Sequence, residues 1–69
     1  MIKKLNLKFI ESQRELMHYS LQDMSDYMGF KSPSTYQKYE KGDYKFKADM
    51  LPTLMKVLHV KSIDDFFCK

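Results

Sequence analysis

One cysteine, no tryptophan, two glycines and two prolines in 69 residues are scarcities that each exclude something. The lone thiol, Cys68, cannot close an internal disulfide, and no His and Cys cluster at metal-ligand spacing, so neither a disulfide nor zinc staples the fold. Stability has to come from packing, within one chain or between two copies. A single free thiol fits a reducing compartment, and the expected location is cytoplasmic. Long apolar runs are missing too: nothing approaches the roughly 20 residues of a membrane helix. After Lys3 and Lys4 no signal-peptide core follows, because Asn6, Lys8 and Glu11 interrupt it. Repeats and low-complexity linkers are lacking, so residues 1–69 read as a single domain. A chain of this length hides only about 60% of its unfolded surface. That leaves no room for a separate ligand-sensing domain, and no cofactor, metal, small-molecule ligand or membrane contact is expected.

What is present is a concentrated charge. Between Lys31 and Lys47 stand five lysines (Lys31, Lys38, Lys41, Lys45, Lys47) against Glu40 and Asp43, whereas the rest of the chain has seven residues of each sign. The whole net charge of +3 therefore lies in one segment. A solvated lysine-rich loop would show the same balance, so charge alone leaves that reading open beside an anionic partner.

The periodicities are helical throughout. Leu7, Ile10, Arg14 and Met17 recur on one face and predict a first helix from about Asn6 to His18. Arg14 is the odd member of that face and calls for a carboxylate partner. Ser20 with Asp23 makes a capping box for a second helix whose inner face is Met24, Tyr27 and Met28 and which ends at Gly29. Ser32 before Pro33 is an N-cap followed by proline at the first helical position, so a third helix runs from Pro33 to about Lys41 with Gly42 beyond it. Tyr36 and Tyr39 share one side of it. Ser34, Gln37, Lys38 and Lys41 share the other, which has donors and cations but no carboxylate. Asp43 to Ala48 is a loop with lysines between aromatics. Asp49 is placed as N-cap of a fourth helix with Pro52 in its first turn and Leu51, Leu54, Val57 and Leu58 inward. Ser62 with Asp65 opens a fifth that includes Ile63, Phe66 and Phe67. The expected fold is an all-α, five-helix compact bundle in which the second and third helices form a helix-turn-helix.

Those residues resemble the Cro and phage-repressor, or Xre-like, family. Ser20, Met24, Ser25, Met28 and Gly29 match its second-helix pattern, and Tyr39, Glu40, Lys41 and Gly42 match the end of its third, with the likeness running from about Leu7 to Phe67. The resemblance implies a lambda-repressor-like DNA-binding fold with Glu40 as the partner of Arg14. Three departures stand out. The turn from Gly29 to Ser32 is one residue longer, Leu21 replaces a glutamine that often touches phosphate, and Lys61 lengthens the approach to the last helix.

The resemblance also implies a sequence-specific regulator of bacterial or phage origin, expected to repress, with a double-stranded DNA operator as partner. The major groove admits one helix, read from residues near its start. Ser34 and Lys38 are expected at base edges, Pro33 at a thymine methyl, and Gln37 at a base or a phosphate. Lysine donates to guanine O6 and N7, which makes Lys38 the leading specificity residue. Phosphates are assigned to the N–H groups of Ser20 and Leu21 and to Lys31, Lys41, Tyr44, Lys45 and Lys47, with Lys3 and Lys4 as additions. Adjacent Phe66 and Phe67 cannot both enter one small core, so one is expected at the interface of a homodimer. The alternative is a protein-interaction module, antirepressor-like, for which an exposed apolar stripe would be the sign. Nothing marks an enzyme: His18 and His59 read as helix-end dipole partners, not as catalytic groups.

Overall fold

Helix ends fall where the capping residues stand. The computed structural model describes residues 4–67; Lys3 and Cys68 lie outside the described residues. Helix α1 (Leu7–Leu16) opens on Asn6, whose side-chain oxygen accepts from the Phe9 N–H at 3.1 Å. In α2 (Leu21–Met28) Ser20 and Asp23 cap each other reciprocally, and Gly29 closes the helix at φ +78°. Helix α3 (Pro33–Lys41) starts at an extended Ser32, whose hydroxyl accepts from the Thr35 N–H, and ends at Gly42 with φ +94°. Both glycines occupy the left-handed region, where a side chain is strained.

The fourth helix begins differently from its sequence signal. Ala48–Met50 forms a 3-10 turn that runs directly into α4 (Leu51–Leu58), and its bond from the Met50 N–H to the Lys47 carbonyl, at 2.9 Å, makes the corner. Asp49 therefore caps nothing and is exposed, because backbone hydrogen bonds have already reversed the chain. The fifth helix is reduced to a 3-10 turn, Ile63–Phe66, with the Ser62 hydroxyl accepting from the Asp64 N–H. Phe67 leaves that turn in extended conformation and forms an antiparallel bridge with Leu5, while the Asn6 N–H donates to the Phe66 carbonyl. Pairing with the amino-terminal segment requires extended backbone, so an α-helix cannot continue through Phe67. The described fold is all-helical, with four α-helices and two 3-10 turns.

Ile10, Met24, Tyr36, Leu51, Leu54, Leu58 and Phe66 form one buried cluster drawn from every α-helix and the last turn. The Gln13 amide donates to the Leu58 carbonyl at 3.0 Å and ties α1 to the end of α4. Tyr27 is corrected from an inward position: it is 53% exposed and its ring lies edge-on against Tyr19. The inner face of α2 is filled instead by Met24 and Ser25. His18 (φ +61°) and His59 (φ +57°) occupy left-handed positions just after α1 and at the end of α4. They take the backbone role that glycine has in α2 and α3. No helix among the described residues is long and apolar enough to cross a membrane.

Candidate nucleic-acid interface

Helices α2 and α3 are joined by a turn, residues 29–32, that is pinned on both sides. Ser25 is fully buried, its hydroxyl donates to the Phe30 carbonyl at 3.2 Å, and the Phe30 N–H donates to the Ser25 carbonyl at 2.8 Å. A small hydroxyl residue fits there because it fills the joint and satisfies a carbonyl that would otherwise lack a partner. Phe30 stacks on Tyr39 with ring centroids 4.9 Å apart and planes 6° from parallel. The turn thus carries a ring that locks it onto α3.

The orientation of α3 is held from below by an ion pair. Arg14 Nε donates to Glu40 Oε2 at 2.9 Å and Nη2 donates to Oε1 at 3.1 Å, while Nη1 reaches the Tyr19 carbonyl at 2.9 Å. The Arg14 and Glu40 side chains keep 13% and 4% of their exposure. The hydrogen bond to Glu40 raises the Arg14 pKa above its ordinary value, against the effect of burial. Tyr36 packs beside this pair, fully buried, with a hydroxyl that finds no partner among the described residues. Burial first, and then the Glu40 carboxylate, hold its phenol far above the usual range, so it is neutral.

The consequence appears on the opposite face. Glu40 is the only carboxylate of α3, and it is turned inward. Ser34, Lys38 and Lys41 are exposed, with Pro33 and Gln37 half-buried. The outward surface of α3 therefore carries donors and cations without a negative charge.

A helix-turn-helix family model matches residues 10–66. The chain belongs to the Cro and phage-repressor type of helix-turn-helix protein. No curated protein and no solved structure matches it. The family is one of DNA-binding regulatory domains, not of enzymes. The match spans α2, the turn and α3, so the carboxylate-free face belongs to the helix that follows the turn of this helix-turn-helix protein.

The remaining candidate residues divide by placement. Lys31, Lys41, Lys45 and Lys47 are exposed, and the Lys38 ammonium lies 5.4 Å from the centroid of the Tyr44 ring. Ser20 is corrected: its N–H is not free, since it donates to the Asp23 carboxylate at 2.9 Å, whose charge also opposes an anion at that point. The same capping box that the sequence announces thus removes Ser20 from the phosphate set. Phe66 is corrected as well. It is fully buried, edge-on to Phe9 at 6.1 Å, and has no surface to offer a second copy. Phe67 is half-buried and lines a groove of about 450 Å³ with Leu5, Leu7, Tyr44 and Phe46.

Two aromatics that the sequence pattern does not single out, Phe30 and Phe46, seat the turn and the loop on α3. Phe46 packs against Tyr36 (6.4 Å) and Tyr39 (5.3 Å), which seats the lysine-bearing loop on α3. The alternation of Tyr44 and Phe46 with Lys45 and Lys47 was the visible signal, but it does not tell which ring turns inward. No group of three potential metal ligands occurs among the described residues.

Proposed function

We propose that the chain is a sequence-specific transcriptional repressor that lays α3 in the major groove of a double-stranded operator with two half-sites. The observation that carries this is the face of α3: its one carboxylate is held inward by Arg14, which leaves Ser34, Lys38 and Lys41 outward. Lys38 and Ser34 read base edges, Pro33 touches a thymine methyl, and Gln37 reaches a base or a phosphate. Lys31, Lys41, Lys45 and Lys47 neutralise phosphates, joined by the Leu21 N–H in the first turn of α2. Repression follows from occupancy of the operator. Two copies on a two-fold axis would place their α3 helices about 34 Å apart, one turn of DNA, with Phe67 as the aromatic still available to their contact.

Selection from random duplexes with the purified chain is the test. Enrichment of one near-palindromic motif with half-sites one helical turn apart is expected, and a promoter carrying that motif should be silenced by the chain. Absence of any enriched motif, with retention of another regulator in its place, would establish the protein-interaction reading. The exposed face of α3 disfavours that reading, since it presents no apolar stripe.

A further inference from the structure

Lysine has a long, freely rotating side chain, and a lysine that reads a base gains from being held before it binds. Lys38 is held by a ring that its own backbone carbonyl helps to place. The αL conformation of Gly42 folds the chain back so that the Asp43 and Tyr44 N–H groups both donate to the Lys38 carbonyl, at 2.9 and 3.2 Å. That return puts the Tyr44 ring under the Lys38 ammonium at 5.4 Å, inside the roughly 6 Å reach of a cation–π contact. The ring, 45% exposed, is backed on one side: it meets Tyr39 edge-on at 5.4 Å and 72°, and Tyr39 is stacked on Phe30 of the turn. A continuous row of rings therefore runs from the helix-turn-helix joint to the cation.

We infer that Tyr44 is a positioning residue that aims the Lys38 ammonium at a guanine edge, and not a phosphate ligand in its own right. This rests on the reading of Lys38 as a base contact. An ammonium resting on the ring's π face keeps donors free for the two acceptors, O6 and N7, that guanine presents in the major groove. Adenine presents an amino donor at the same place, which opposes a cation. Holding the ammonium in advance thus sharpens guanine against adenine.

The test compares Lys38→Ala, Tyr44→Phe, Tyr44→Leu and the Lys38→Ala/Tyr44→Leu pair. Each is measured on the duplex recovered by selection and on duplexes with each half-site guanine replaced in turn. Tyr44→Phe keeps the ring and is expected to keep the preference. Tyr44→Leu should lower discrimination by about two- to fivefold at the base pair read by Lys38, and should add nothing on top of Lys38→Ala. Proton spectra of the free protein give a separate readout: the Lys38 ε-methylene is shifted upfield by the ring in the wild type and in Tyr44→Phe, and not in Tyr44→Leu. Equal weakening of all sequences by Tyr44→Phe and Tyr44→Leu would make the tyrosine a phosphate ligand through its hydroxyl and overturn the inference. So would a wild-type Lys38 signal at its ordinary position, whatever the variants do. If Lys38→Ala itself lowers affinity uniformly, the base-reading role falls and Tyr44's specificity role falls with it. A specific Lys38→Ala beside a uniform Tyr44→Leu overturns the role of Tyr44 alone.

Discussion

Arg14 and Glu40 are two charges on inward faces of different helices, each tolerable only because the other is there. Arg14→Ala strands a carboxylate that is 4% exposed and should lower unfolding free energy by about 3–5 kcal/mol. Denaturant unfolding measures this, and an unchanged midpoint would contradict the buried pair. Tyr36 is the converse case, a buried hydroxyl that makes no hydrogen bond among the described residues although the Glu40 carboxylate lies near enough to act on it. Tyr36→Phe should be neutral or stabilise by about 1 kcal/mol. The phenol's folded pKa lies above its ordinary 10.0, so the folded state keeps the proton that the unfolded state loses first. This contribution is complete below pH 10 and declines above it. Wild-type stability should therefore drop on the alkaline side, and the Tyr36→Phe variant should drop less steeply. The need of Arg14 for a carboxylate is legible from its place on an apolar stripe. The unpaired state of the Tyr36 hydroxyl among the described residues is not, because it depends on where Glu40 and Arg14 direct their own polar atoms.

Among the described residues, four helix ends use the left-handed region, two with glycine and two with histidine. His59→Gly relieves that strain at the end of α4 and should stabilise by about 0.5–1 kcal/mol, after the extra freedom glycine gives the unfolded chain is set against it. Gly29→Ala and Gly42→Ala should each cost about 1–2 kcal/mol. The second should cost more: a Cβ there meets Leu7 Cδ1 at 3.2 Å, whereas nothing lies within 4 Å at Gly29. Thermal melts of the three variants rank these effects, and equal melting of the two alanine variants would show that Leu7 yields freely. Helix caps formed by Ser20, Ser32, Gly29 and Gly42 were readable because each is made within a few residues. Asp49 misled for the same reason: a local signal was present, but a 3-10 turn had already made the corner.

For the whole molecule, the lysines that follow α3 form an exposed band, and its electrostatics should be separable from base reading. Lys45→Ala and Lys47→Ala should weaken binding by similar factors on every duplex. Each should reduce the slope of log K against log salt by about 0.9. A loss confined to one sequence would move either lysine from the backbone to a base. Salt titrations on the selected and on a random duplex decide this.

The helix-turn-helix, its boundaries, the segment that carries the charge and the need of Arg14 for some carboxylate are all legible in the sequence, with Glu40 implied as the partner only by the family resemblance. Those depend on caps, on periodicity and on residue types, which act over one or two helical turns. Three-dimensional packing alone settles which of two neighbouring phenylalanines is core. Phe66 meets Phe9 while Phe67 bridges to Leu5, and both partners come from the far end of the chain. It also settles that Tyr27 faces outward, that Phe30 and Phe46 seat the turn and the loop on α3, and that Lys38 rests on Tyr44. The physical reason is common to all of these. Aromatic placement is settled by which surfaces meet, and surfaces meet only once every helix has its place.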